Sequence, residues 1–217
     1  MDFKKIIFSI LVLFINPLMG EEIYFDVYMD DERVGTHYYE ISDTKIVSKA
    51  NYKIQFLFMN FTYKHESFET YDSGCLSLIN SMTDDDGDKF LVSGKKNNGT
   101  LQISMNNKPY DYDGCITTFI YWDADIVNKT KLLNAQNAEL LDIKTTYRGE
   151  KDIKVNNSNV KTKHYELVAS LKGHEKFIIN LWYDDNKKWV QLLSPTAAGD
   201  LIYKIRSTPV EGATISN

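Results

Sequence analysis

The sequence predicts an all-β protein, a single antiparallel meander of about 10–12 strands curled into a barrel or half-barrel. One short helix or ordered loop is expected near 123–137. Three observations predict this. Apolar residues recur with a period of two over most of the chain, so one side of each segment faces a core. Short clusters of Asp, Asn and Gly separate these runs, as tight hairpins require. Aromatic residues reach 13%, an excess that suits a pleated, half-buried surface.

The first element is not a strand. Lys4 and Lys5 precede the apolar run Ile6 to Ile15, Asn16-Pro17 ends it, and Gly20 stands before Glu21-Glu22. This is the layout of a secretory signal peptide cleaved near Gly20. The run rises only about 15 Å as a helix, half of what a bilayer span needs. Residues 1–20 are therefore expected to leave, and 21–217 to form one domain with no further membrane span. A periplasmic or secreted location follows.

The strands come next. Ile23, Phe25, Val27 and Met29 alternate with Tyr24, Asp26 and Tyr28. Asp30-Asp31-Glu32 turns the chain into a second strand, Arg33 to Ile41. Tyr52, Ile54, Phe56 and Phe58 carry the alternation on through Phe61 and Tyr63 toward Tyr71. Leu101, Ile103 and Met105 repeat it, as do Tyr165, Leu167, Ala169 and Leu171, and then Phe177, Ile179, Leu181 and Tyr183. Hairpin turns are expected at Asp84–Asp88, Asn97-Asn98-Gly99, Lys172-Gly173-His174 and Asp184–Lys187. Trp182 and Trp189 flank the last turn and read as a cross-strand aromatic pair. Asp123–Asn137 breaks the period and is the natural plug for an open sheet, whose edges need cover.

Exported chains keep disulfides, and Cys75 and Cys115 are the two cysteines present, so one bridge is expected between them. The net charge of −5 argues against a nucleic-acid binder, which needs a basic surface to displace counterions from phosphates. The acidic run Asp84-Asp85-Asp86-Gly87-Asp88 fails as a calcium loop. With Gly87 in sixth place, the first ligand position is Met82 and the twelfth is Ser93. His37, His65, His164 and His174 lack any metal-ligand spacing, so no metal and no cofactor is expected, and they read as ordinary strand or turn residues. His37 with Glu40, and His65 with Glu66 and Glu69, are the pairs the fold would have to bring together for chemistry. No serine-hydrolase elbow or phosphate loop occurs, and no catalytic residue is assigned. Two segments concentrate aromatic and carboxylate side chains: Tyr110 to Cys115, and Tyr121-Trp122-Asp123.

Several of these segments carry a resemblance. Gly74-Cys75-Leu76 leading into Thr83 to Gly87, Gly114-Cys115 with Phe119 to Asp123, and Leu132-Leu133-Asn134-Ala135-Gln136 are similar to a family of exported bacterial proteins of unknown function. Leu181-Trp182-Tyr183-Asp184, Lys188-Trp189-Val190 and Gly199 to Tyr203 resemble its C-terminal half. The resemblance implies a bacterial host and no particular activity. The curled sheet is also distantly similar in architecture to lipoprotein-carrier (LolA-like) proteins. Architecture alone does not license function.

The expected function is an exported binding or carrier module for an apolar or amphiphilic, lipid-like small molecule. Tyr121, Trp122, Asp123, Asn134 and Gln136 are the candidate binding residues. The alternatives are an enzyme working from a pocket near Tyr121, Asp123, Asn134 and Gln136, and a structural or interaction protein of the envelope.

Overall fold

Alternation dictates the architecture. In the computed structural model, which describes residues 20–56, 59–155 and 157–206, fourteen strands among the described residues form one antiparallel sheet. The first arm comprises β1 (Glu21–Met29), β2 (Glu32–Ile41), β3 (Lys45–Phe56), β4 (Met59–Asp72), β5 (Cys75–Asp85), β6 (Asp88–Asn97), β7 (Thr100–Met105) and β8 (Lys108–Asp113). A 3-10 helix, Ala124–Asn128, follows. The second arm comprises β9 (Lys131–Leu133), β10 (Leu140–Val155), β11 (Ser158–Leu171), β12 (His174–Asp184), β13 (Trp189–Thr196) and β14 (Gly199–Ile205). The expected signal segment lies outside the described residues except for Gly20. No helix among the described residues is long and apolar enough to cross a membrane.

The two arms join at their far ends in sequence. β1 pairs with β14, placing Phe25 opposite Ile205 and Val27 opposite Tyr203. Asp26 ties this seam further, accepting from Arg33 Nε at 2.6 Å and from Arg206. The strand order therefore runs β8 to β1 and on through β14 to β9, leaving β8 and β9 as edges. The sheet curls without closing. Residues 114–139 span the gap. Leu133 N donates to Thr117 O at 2.8 Å, Tyr112 Oη donates to Ala138 O at 2.8 Å, and Ser81 Oγ donates to Ala135 O. The Cys75–Cys115 disulfide fastens the start of β5 to the start of this segment.

The hairpin turns follow the residues that tolerate positive φ. Asp86 and Gly87 have φ of 53° and 96°, and Asn98 and Gly99 have 48° and 88°. Both central residues of each turn are left-handed, which matches the twist of the flanking strands. The acidic run is thus a hairpin connection, with Gly87 N donating to Asp84 Oδ1 at 2.9 Å. Strands outnumber the expectation for two local reasons. The run from Tyr52 to Tyr71 holds two strands, β3 and β4, with Leu57 and Phe58 between them outside the described residues. Tyr110 and Tyr112 lie on a further strand, β8.

The pairing expected of Trp182 with Trp189 is corrected. A bulge between Trp182 and Tyr183 sets Tyr183 opposite Trp189 and Trp182 opposite Gln191. The two indoles therefore point to opposite faces. Trp189 enters the main core, 4.0 Å from the Phe25 ring centroid. Trp182 packs with Ile153 and Val190 on the other face and stacks on His164 at 4.4 Å. On the concave face, Phe25, Val27, Leu167 and Leu181 meet Ile126 and Leu132 of the gap-spanning segment. A second cluster, Leu76, Ile79, Leu101 and Ile103, packs on Ile116 and Leu133. Tyr110 and Tyr112 belong to it.

Candidate functional site

The register of β2 to β5 leaves room under the gap-spanning segment. His37, Ala50, His65 and Thr83 form one row across four strands, and Tyr39, Ser48, Ser67 and Ser81 form the next. All point inward and are buried. Ala50 in the first row and Ser48, Ser67 and Ser81 in the second hollow out the face, whereas Tyr52 and Tyr63 stand on the row beside them. Gly35, opposite Tyr52, makes that row possible, because a Cβ on it would lie 2.7 Å from Tyr52 Cα and 2.1 Å from Asn51 O. The result is a cavity of about 230 Å³ between the concave face and residues 118–122 and 134–136.

Its walls divide into rings and hydroxyls. Tyr52 and Tyr63 stack with centroids 4.8 Å apart, and Tyr52 Oη meets Tyr203 Oη at 2.8 Å. Phe119, Tyr121 and Trp122 supply the facing wall, and Phe177, Ile179 and Leu192 close the side toward β12 and β13. Tyr183 Oη donates to Tyr121 O at 2.7 Å and so fixes that wall. Ser48, Ser67, Thr118 and Ser194 present hydroxyls.

Three titratable groups other than tyrosine face the cavity. Burial, and secondarily His65, pushes the His37 imidazole well below its usual range. Burial lowers His65 to about 4. His37 Nε2 lies 2.7 Å from Ser48 Oγ, and His65 Nδ1 lies 2.8 Å from Thr83 Oγ1. Both imidazoles are neutral at pH 7. Glu69 is 3% exposed. Burial pushes its carboxyl upward, opposed by hydroxyls that donate to it from Tyr71 at 2.6 Å, Thr118 at 2.7 Å and Ser67 at 3.2 Å. Desolvation also raises Tyr39, Tyr52 and Tyr121 well above 10, and Tyr203 to about 12. The tyrosines are therefore neutral hydrogen-bonding groups.

The expected site residues are divided by this geometry. Tyr121, Trp122, Asn134 and Gln136 line the cavity. Gln136 bridges Tyr63 Oη at 3.4 Å and Asp85 Oδ2 at 3.3 Å. Asp123 caps the 3-10 helix, accepting from Asp125 N at 2.9 Å, and lies outside the lining. Glu40 and Glu66 are exposed on the outer face, whereas His65 and Glu69 share the cavity. Sequence reasoning named His37 with Glu40 and His65 with Glu66 and Glu69 as pairs to be brought together, but read the histidines as ordinary strand or turn residues, because each sits in an ordinary alternating run. The one signal that would find them is a polar residue at a core-facing register position, as at 37, 65, 67 and 69.

Chemically, the arrangement offers ring faces, hydroxyls and one partial nucleophile–base pair. Ser48 and His37 form the first half of a nucleophile–base pair. The other imidazole nitrogen, Nδ1, faces Tyr39 Oη at 3.3 Å rather than a carboxylate. Ser48 is paired on both sides by β2 and β4, so its peptide N–H serves the ladder rather than a developing oxyanion. Among the described residues no group of three His, Cys, Asp or Glu is placed to hold a metal ion.

A known structure shares the architecture. The chain is similar to a beta-barrel-like protein of domain of unknown function DUF1849 from Brucella abortus, at 10% identity and a TM-score of 0.64, over 87% of this chain and 96% of that one. A DUF1329 family protein from Desulfovibrio piger aligns over 87% of this chain and 85% of its own at 10% identity, with a TM-score of only 0.28. No curated protein matches the sequence. The seam strand β1 from Phe25, both arms and Arg206 at the end of the seam all fall within residues 25–206, which match the family described as Domain of unknown function (DUF6134), and the chain belongs to that family.

Proposed function

We propose that the chain is a binding module that holds a small amphiphilic molecule between its curled sheet and residues 114–139. The observation that carries this reading is the cavity of about 230 Å³ lined by aromatic rings with hydroxyl, imidazole and carboxyl groups among them. Apolar walls with a few placed polar groups are the usual composition of a ligand site. The volume suits a molecule of about ten heavy atoms, or one end of a longer one, on the scale of benzene-sized cavities. Tyr121, Trp122, Asn134 and Gln136 are assigned to the binding wall, together with His37, His65 and Tyr63. The disulfide and residues 1–20 support action outside the cytoplasm, in the periplasm or beyond it, because such bridges persist in oxidising compartments.

Native mass spectrometry of the purified protein, with titration of an environment-sensitive apolar fluorophore, tests the reading. One co-purified small molecule or saturable single-site uptake is expected. Ile179→Phe fills the cavity from an apolar wall position and should abolish uptake without unfolding the sheet. A protein that takes up no fluorophore and carries no ligand overturns the proposal.

A further inference from the structure

Among the described residues Glu69 has no cationic partner. Its three hydrogen-bond partners are the hydroxyls of Ser67, Tyr71 and Thr118. Among the described residues no lysine or arginine lines the cavity. A carboxylate taken out of water is costly unless a positive charge or a dense set of donors meets it. Here neutral hydroxyls meet it, and two of the donors, Ser67 and Thr118, line the cavity together with Glu69 itself.

The rest of the lining suits a positive charge in the same way. Tyr39, Tyr63, Phe119, Tyr121, Trp122 and Phe177 present ring surfaces to one space, and the negative faces of such rings attract ammonium groups. Tyr39 and Trp122 have centroids 5.1 Å apart, and Phe119 and Phe177 are separated by 5.6 Å, so the rings form adjoining walls. His37 and His65 are uncharged at neutral pH and do not repel a cation. An anionic head group would meet Glu69 without any compensating base, and a metal ion would find one carboxylate where several ligands are needed.

We propose that the molecule held in this cavity carries an organic ammonium group, its charge set against Glu69 and enclosed by the tyrosine, tryptophan and phenylalanine rings. This inference rests on the binding-module reading and specifies its ligand class. The same chemistry belongs to a free alkylammonium compound and to the head group of a choline lipid.

Calorimetric titration with choline and with its neutral isostere 3,3-dimethyl-1-butanol separates the charge from the shape. Choline should bind at least about tenfold more tightly, a margin within reach of one desolvated cation–π contact. Glu69→Gln should erase that preference, bringing choline to the affinity of its neutral isostere. Tyr63→Leu, which removes a ring of the binding wall without touching Glu69, should weaken choline binding more than binding of the isostere. Competition between choline and phosphatidylcholine vesicles identifies the source: displacement by vesicles supports a lipid head group, and indifference to them supports a free ammonium compound. Equal affinities for the two isosteres, or a preference that survives Glu69→Gln, overturn the ammonium assignment while fluorophore uptake keeps the binding module. Failure of choline and fluorophore alike overturns both.

Discussion

His65 illustrates how a single buried residue makes the fold sensitive to pH. Its imidazole titrates near 6.5 in an unfolded chain and is lowered to about 4 by burial in β4. The unfolded state therefore binds more protons between those values, and stability falls as pH drops through that window. The loss for this one group is about 3 kcal/mol. His37 acts in the same direction. Glu69 has the opposite sign, because its raised carboxyl makes the folded state the better proton acceptor, so stability falls as pH rises past its usual range. Chemical denaturation between pH 7.5 and pH 4 should therefore show a smaller pH-dependent loss in His65→Asn than in the wild type. Glu69→Gln should gain more stability at pH 8 than at pH 4. Neither role was legible at 65 or 69. Sequence shows a histidine and a glutamate within a strand pattern, and only the register across β2 to β5 shows that both face inward.

Among the elements, the hairpins were the most legible and the gap-spanning segment the least. Asp86-Gly87 and Asn98-Gly99 announce turns because few other residues adopt positive φ twice in succession. The break in alternation after Asp123 marks a non-strand element, and a 3-10 helix stands there, Ala124–Asn128. What alternation cannot show is which strands that element touches. Ile126 and Leu132 are fully buried against the concave face, so Leu132→Ala should cost about 2–5 kcal/mol, measured by urea unfolding. The disulfide holds the same segment from its other end. Its 40-residue separation corresponds to about 4 kcal/mol in the chain-entropy account. Cys75→Ser with Cys115→Ser should lower stability by about that amount and weaken fluorophore uptake. The bulge at Trp182 was not legible, since a register slip leaves no mark in residue order.

For the whole molecule, the all-β meander could be read from periodicity, and its curled form from the need to hide two edges. The joining of β1 to β14 could not, because pairing of strands so far apart follows from closure rather than from any local pattern. The cavity was foreseeable as a question about the aromatic residues and answerable only once those rings had been placed. They do both things. Phe25, Trp189 and Tyr203 pack together, while Tyr63, Tyr121 and Trp122 line open space.

The seam between β1 and β14 has a consequence for the order of assembly. Hairpins within each arm form between neighbours in sequence and need little chain. The centre of the sheet needs both the first strand and the last, so it cannot exist until residue 205 has been made. During synthesis β1 waits with an unpaired edge, open to any strand that meets it. A chain ending after Thr196 lacks β14 and should therefore not fray locally; it should self-associate through β1 and β13, visible as large species in size-exclusion chromatography. β14, made long after β1, is the strand that makes the rest safe from its own kind.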